Sequence, residues 1–502
     1  MGTIHLRRIS RFVTGSIATF GVALAGPASA APAAVAVFHP TIAEYVQMST
    51  STTPPTEAQC ISVGRTCFTP QAIQSAYNLS PLYAQGLNGK GITIAIVDSY
   101  GSDTIAHDLH VFNQAFNLQP MCGEEGVTCT GDMPTFSILH VQGAPATKAP
   151  PPTSNGTGQE NKSAWALEVS LDVETSHAIA PQANILLVAT PTAETLGVQG
   201  FPDMMNAEQF VIDHHLANVI SQSFASAEEG FSSFTALQSL RFAYISAAQN
   251  GVTVLGSSGD GGTANIVKTP VHAGGSLIPF PTVEWPASDP LVTGIGGTYL
   301  CTDPQATATQ PRTLFVGPVF RCNANPTQTE VGWTFSGGGF SHVFSRPSYQ
   351  DALPAGSTAI PSSARGVPDI GLQASAGTGA LVFISLPPDG SSGLKCAGVP
   401  CSTGWFDIGG TSLSCPQWAG LVAIADQING GGLGLINPAL YKLGASPTRY
   451  ANDFFDVTTG KNMGDPTVPG YPATIGWDPI TGLGTPNAAN LVPDLVAAAH
   501  GH

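Results

Sequence analysis

Charge is scarce in this chain. Only 10% of its 502 residues are Asp, Glu, Lys or Arg, and 17 basic residues face 33 acidic ones, a formal net charge of −16. So few cations exclude the basic surface that phosphate binding requires, and with it a nucleic-acid partner. The acidic balance suits work at low pH, where carboxylates take up protons and their mutual repulsion falls. Long apolar runs are lacking too. Past the N-terminus no segment offers about 18 uninterrupted apolar residues, so the mature chain is expected to have no membrane span. No two cysteines have the two-residue spacing of a zinc ribbon, which sets zinc aside.

The first residues read as an export signal, which implies a secreted protein. Arg7 and Arg8 form a basic start, an apolar stretch runs from Phe12 to Leu24, and Ala28-Ser29-Ala30 is a small-residue cleavage site. Residues 1–30 are therefore expected to be removed. Residues 31–66, rich in Ala, Pro, Thr and Ser, read as a short, poorly ordered leader, and 67–502 as one large domain. In an exported chain the cysteines suggest four local disulfides: Cys60 with Cys67, Cys122 with Cys129, Cys301 with Cys322, and Cys396 with Cys401. Cys415 is left over. Asn78, Asn155 and Asn161 each open an Asn-X-Ser/Thr triplet.

Strand-like runs alternate with helix-length segments. G-I-T-I-A-I-V-D begins at Gly91, and further apolar runs fall at Thr135–Val141, Asn184–Ala189, Val219–Ser223 and Val252–Ser257. Helical patterns lie between them, at Asp103–Phe116, Ser163–Ala180, Asp203–Leu216 and Phe234–Asn250. This order predicts an α/β fold, a mostly parallel central sheet with helices on both faces. Chemistry is then expected at strand ends and loops.

Near the C-terminus, D-I-G-G-T-S-L-S-C (Asp407–Cys415) turns from a strand into a helix at two glycines. Ser412 at that corner has backbone N–H groups nearby, as a nucleophile with an oxyanion site requires, although a helix N-cap serine looks the same. A serine nucleophile needs a base. The His-Gly-Thr-His segment of subtilisin-like enzymes is absent, and His177, His214 and His215 read as surface or satisfied histidines. W-A-L-E-V-S-L-D-V-E (Trp165–Glu174) instead places Glu168 and Asp172 one helical turn apart. Among apolar neighbours such a pair has raised pKa values, can share a proton and can act as a base in acid. In solvent it is an ordinary polar face. A third carboxyl, Asp260, projects from the Gly/Ser-rich turn G-S-S-G-D-G-G (Gly256–Gly262). It either caps its own turn or, kept neutral, donates a hydrogen bond to a developing oxyanion.

Together these segments resemble the sedolisin family of serine-carboxyl peptidases, acid-active relatives of subtilisin. The resemblance runs from about Cys67 to Val496 and includes Phe68–Asn78, Leu82–Asp98, the Glu168/Asp172 segment, S-S-G-D-G-G, G-G-G-F-S (Gly337–Ser341), R-G-V-P-D (Arg365–Asp369) and G-G-T-S (Gly409–Ser412). It implies a subtilisin-like fold, Ser412 as nucleophile, Glu168 as general base and acid, Asp172 as its tuning partner and Asp260 as oxyanion donor. Asp98 stands where some members have a glutamate, and is read as supporting the acid pair. The same resemblance makes D-F-F-D-V-T-T-G (Asp453–Gly460) and A-T-I-G-W-D (Ala473–Asp478) calcium loops, with one Ca2+ on Asp456 and Asp478 side chains and the carbonyls of Val457, Thr474 and Gly476. Thr474 replaces a usual glycine, Phe224 a usual Trp or Tyr, and the family's large folded pro-domain has no counterpart in the short leader.

The expected function is that of a secreted, acid-active serine-type endopeptidase acting on protein or peptide substrates, as a monomer. Its rivals are a tripeptidyl exopeptidase of the same family, a catalytically silent binding protein on this scaffold, and a neutral subtilisin-type enzyme using Asp98.

Overall fold

The computed structural model describes residues 39–40, 44–141, 159–191, 200–269, 272–301, 315–316, 320–321, 330–387 and 391–501. The segment expected to be an export signal, Asn155 and Cys322 lie outside the described residues. Among the described residues, no helix is long and apolar enough to cross a membrane.

The chain begins with two short N-terminal strands, β1 (His39–Pro40) and β2 (Glu44–Ser49). The alternating run follows as β3 (Thr93–Ser99), α1 (Ile105–Phe116), β4 (Phe136–His140), α2 (Gln159–Ile179), β5 (Asn184–Thr190), α3 (Phe201–Asp213), β6 (Val219–Gln222) and β7 (Phe224–Ala227). Next come α4 (Phe234–Gln238), α5 (Phe242–Asn250), β8 (Thr253–Ser257), β9 (Glu284–Trp285), β10 (Thr293–Leu300), β11 (Glu330–Gly332), β12 (Ile370–Gln373) and β13 (Ala380–Ile384). β14 (Gly404–Gly409), α6 (Thr411–Asn429) and α7 (Ala488–Ala499) complete the frame.

Eight strands form the central sheet in the order β11-β10-β8-β6-β3-β5-β4, with β12 paired to β10. Every pairing is parallel except β10 with β11. The right-handed crossover rule then places helices on both faces, and the strand alternation sorts the core. Ile94 and Ile96 join one apolar cluster, with α2, α6 and α7, while Ala95 and Val97 join another, with α3 and α5. Asp98 shares the parity of Ile94 and Ile96, so it points toward α2. By the same count Ser221 goes with Val219, on the α6 side. α2 and α6 are buried along most of their length and pack closely. A Cβ on Gly420 would lie 2.7 Å from Ile179 Cβ, so only glycine allows this approach.

Two expectations need correction. The stretch from 31 to 66 is not a loose leader throughout. From Glu44 to Ser49 it forms an antiparallel strand beside β14, and the short helix Glu57–Ser62 follows with a Thr56 capping box. Its composition hid an edge strand whose order comes from its partner rather than from its own apolar content. The single helix expected over 234–250 is broken at 239–241, where Arg241 turns to donate to both carboxylate oxygens of Asp289, at 2.5 and 2.9 Å.

Candidate active site

β14 runs into the serine corner. Gly409 passes so close to the 374–376 segment that a Cβ would fall 2.0 Å from the Ala376 nitrogen. Gly410 has φ 150°, a backbone that disfavours side chains, and its N–H donates to the Ala374 carbonyl at 2.6 Å. α6 then starts at Thr411, which places Ser412 in the first turn of a buried helix, where N–H groups have no intrahelical acceptor.

The turn after β8 meets this corner directly. Asp260 Oδ1 accepts from Thr411 N and from Thr411 Oγ1, both at 2.8 Å. Thr411 Oγ1 also accepts from Gly259 N at 3.1 Å. Gly337 braces the turn from behind through an N–H to the Gly259 carbonyl at 2.8 Å, and its Cβ would lie 1.9 Å from the Ser258 oxygen. Gly337 of G-G-G-F-S is thus a packing requirement behind the Asp260 turn.

Glu168 and Asp172 are wholly buried on α2, so the solvated-face alternative does not hold. Their apolar neighbours Trp165, Leu167, Val169 and Leu171 are buried as well. Burial, then the Asp98 carboxyl, hold Glu168 well above the usual carboxylate range; the Ser412 hydroxyl opposes this, Asp260 adds to it, and Ser223 opposes it. Ser412 and Ser223 therefore act on Glu168, although among the described residues neither Oε atom completes a hydrogen bond of ordinary geometry. Uncomplexed active sites often show such loose contacts. Asp172 is raised by burial, Asp98 and Glu168, and its Oδ1 accepts from Ser223 Oγ at 2.9 Å. Burial pushes Asp98 up to about 8. Sequence reasoning passed over Ser223 and Thr411. Ser223 sits directly beyond the C-terminal end of β6, a position that could have drawn notice.

The histidines stand apart from this cluster. His177 is buried, its Nε2 lies 2.7 Å from the Gln119 carbonyl, and burial lowers its pKa to about 4. His214 and His215 are exposed. Cys415 is a buried free thiol, 3.5 Å from Ser221 Oγ and raised by burial to about 11, hence inert. The Phe224 ring packs 6.3 Å from Phe201. Cys60–Cys67, Cys122–Cys129 and Cys396–Cys401 are bonded.

The C-terminal loops bring two carboxylates together. Asp478 is buried and pushed up to about 7, burial first, with Asp456 adding to the rise. Asp456 Oδ1 accepts from Tyr450 Oη at 3.0 Å and Gly476 N at 3.1 Å. Asp478 accepts from Ile480 N at 2.8 Å, Thr481 N at 3.0 Å and Thr474 N at 3.2 Å. Val457 is buried beside them, and Gly476 takes φ 76°. Among the described residues no group of three or more His, Cys, Asp or Glu side chains is gathered for a metal. Two carboxylates close enough for Asp456 to raise Asp478 are nonetheless donors suited to a hard cation.

The parallel sheet, the serine at the head of a buried helix and the facing acid pair define a subtilisin-like α/β protein. No family model matches the chain. It is 29% identical over 487 residues to kumamolisin of Bacillus sp. (strain MN-32), across 94% of this chain and 72% of that protein. It is 28% identical over 360 residues to tripeptidyl-peptidase 1 of Rattus norvegicus, across 68% of this chain and 53% of that protein. The chain thus spans about half the length of that peptidase. The structure superposes on Pseudomonas sedolisin, solved with two molecules of pseudo-iodotyrostatin, with a TM-score of 0.59 and 24% identity over 85% of this chain and 97% of that one. These relatives and this structural likeness together support the sedolisin family of serine-carboxyl peptidases for the chain.

Proposed function

We propose that this chain is an exported, acid-active serine-carboxyl endopeptidase with Ser412 as nucleophile. Ser412 Oγ attacks the scissile carbonyl while Glu168 takes its proton. The carbonyl π pair moves onto oxygen, and Asp260 donates a hydrogen bond to that oxyanion. Collapse expels the amine, which takes the proton from Glu168 and leaves an acyl-enzyme. Water, activated by Glu168, then releases the acid product and Ser412. Asp172 accepts from Ser223 and holds Glu168 in place and in tune.

Four carboxyls within one another's field cannot all ionise. Their first ionisation gives one shared charge, and the remaining members stay neutral. That single charge is the base, available in acid where a histidine would already be cationic. Because Asp260 Oδ1 is committed as an acceptor to Thr411, the proton that Asp260 donates belongs on its other oxygen. The observation that carries the reading is the buried Glu168/Asp172 pair on α2, which packs on the serine helix α6, with Asp260 bonded to Thr411 directly before Ser412. Replacing Ser412 by Ala should abolish cleavage of a denatured protein near pH ~4, where a carboxylate base is poised. Retained turnover would refute the assignment.

One Ca2+ would be held by the Asp456 and Asp478 side chains with the carbonyls of Val457, Thr474 and Gly476. It would supply charge that cancels the repulsion of the two carboxylates and pins the loops. The tripeptidyl-peptidase among the relatives supports a second reading, release of tripeptides from free N-termini. Products from an internally labelled, N-terminally blocked peptide separate the two: an endopeptidase cuts it and an exopeptidase does not.

A further inference from the structure

Asn462 lies 50 residues past Ser412, in the chain between α6 and α7. It is wholly buried, and the mechanism makes no use of it. Its N–H donates to the Tyr471 carbonyl at 3.1 Å and its Oδ1 accepts from Tyr471 N at 2.8 Å, which closes its own loop. An asparagine that served only that loop would stop there. Instead its Nδ2 donates outward, to the carbonyls of Pro479 at 2.8 Å, Ser336 at 3.2 Å and Gly338 at 3.3 Å. Its main-chain carbonyl accepts from Thr263 N at 3.3 Å, and Thr263 Oγ1 donates to the Pro469 carbonyl of the same loop at 3.0 Å.

Both directions lead to the Asp260 turn. Thr263 stands three residues after Asp260, and Ser336 and Gly338 flank Gly337, whose N–H holds the Gly259 carbonyl. Gly262 N donates to the Phe335 carbonyl at 2.9 Å. The turn from 259 to 263 is thus gripped at its start by Gly337 and at its end by Phe335 and Asn462. The Asn462 side chain ties these grips to one another. The fit leaves little room, since a Cβ on Gly464 would fall 2.0 Å from the Gly261 carbonyl oxygen and one on Gly262 2.7 Å from Gly464 N. Pro479 follows Asp478, so the C-terminal carboxylate loop is drawn into the same knot.

A donor aimed at an oxyanion works only where its place is fixed before reaction, and a displacement of about 1 Å costs about 100-fold in rate. Thr411 fixes one oxygen of Asp260. The backbone of the turn must aim the other. Resting on the peptidase reading above, we propose that Asn462 is a positioning residue for Asp260, holding the 259–263 turn in register with Ser412 and acting on the reaction only through that carboxyl.

Such a residue acts on the transition state and not on substrate binding. Asn462→Ala should lower kcat near pH ~4 by about 10- to 100-fold, part of the loss expected for an oxyanion donor, and leave KM within about twofold. A peptide aldehyde, which adds to Ser412 and sets its oxygen against Asp260, should bind more weakly by the same factor as kcat. In an Asp260→Ala background the same substitution should cost less than about threefold, because no donor is left to misplace. Asn462→Asp, neutral in acid, keeps an acceptor for Tyr471 N and one donor for the Pro479 carbonyl, and should restore most of kcat near pH ~4. Should the Ala variant not fold, Thr263→Val carries the same test. It keeps the side-chain shape, and should show a three- to tenfold fall in kcat, about the weight of one hydrogen bond, that likewise vanishes in the Asp260→Ala background. Losses that multiply with those of Asp260→Ala, or an effect confined to KM or to the melting temperature, overturn the inference. Absence of any Ser412-dependent turnover in the parent chain would instead overturn the peptidase reading itself.

Discussion

Replacing Asp260 by Asn tests its proposed role as a neutral acid at the oxyanion position. In the structure Asp260 Oδ1 accepts two hydrogen bonds at 2.8 Å from Thr411. An Asn side chain keeps that acceptor and presents an NH2 donor in place of the carboxyl proton, so both turns should hold their places. Asp260→Ala removes the donor and both bonds to Thr411. Loss of one oxyanion donor costs about 100- to 1,000-fold in kcat, and the Ala variant should show a loss of that order at every pH. The Asn variant should stay within about tenfold of the parent in acid, since one neutral donor replaces another. The difference appears as pH rises. In the parent, Asp260 ionises, ceases to donate and repels the oxyanion, so kcat falls. The Asn variant has nothing to ionise at that position, and its basic limb should move upward until Asp98, at about 8, and the acid pair impose their own. The assay is kcat against pH with a chromogenic peptide. An Asn variant as inactive as Ala throughout, or one whose activity falls off at the parent's pH, would refute the reasoning.

Ser223→Ala removes the hydroxyl that lowers the Asp172 pKa. The same hydroxyl favours the ionised form of Glu168, so the pair should give up its first proton only at higher pH, the acid limb of the pH–rate profile should move up, and the rate near pH ~4 should drop about three- to tenfold. Stability should run opposite to the usual acid denaturation. Asp98 and Asp426 at about 8, Glu228 at about 7 and Asp108 at about 6 all have folded pKa values above their unfolded ones. The native state then binds more protons, so the stabilisation is complete below the unfolded values and is lost as pH rises from about 4 through 8. Asp108 alone, raised from 3.8 to about 6, contributes about 3 kcal/mol of this. Denaturant midpoints higher at pH 8 than at pH 4.5 would contradict it. For the C-terminal loops, a chelator should lower the melting temperature by a few degrees, the effect of losing an ion held well above its Kd. Asp478→Asn should abolish that difference, and an unchanged melting curve in the parent would count against a bound ion.

The sheet and its helices were legible because periodicity reports burial directly. Ile94 and Ile96 against Ala95 and Val97 is a period of two, and the apolar ring around Glu168 is that of a helix with no wet face. Ser412 and Asp260 were visible as turn residues, since glycines at 259, 409 and 410 mark backbone that cannot carry a side chain. Contacts between distant segments were not legible. Nothing local in Ser223 announces a bond to Asp172, and nothing in Thr411 announces Asp260. β2 was misjudged because an edge strand takes its order from the strand it joins. The break at 239–241 was hidden because the helix pattern is silent about an arginine drawn away to Asp289.

The Thr411 bridge to Asp260 joins two loops 151 residues apart in the chain. In the proposed mechanism, attacking oxygen and oxyanion donor are thereby mounted on one rigid bracket rather than on two independent arms. Grafting either loop from a relative to alter substrate preference would therefore misalign both groups at once, and such transplants should be made as a matched pair.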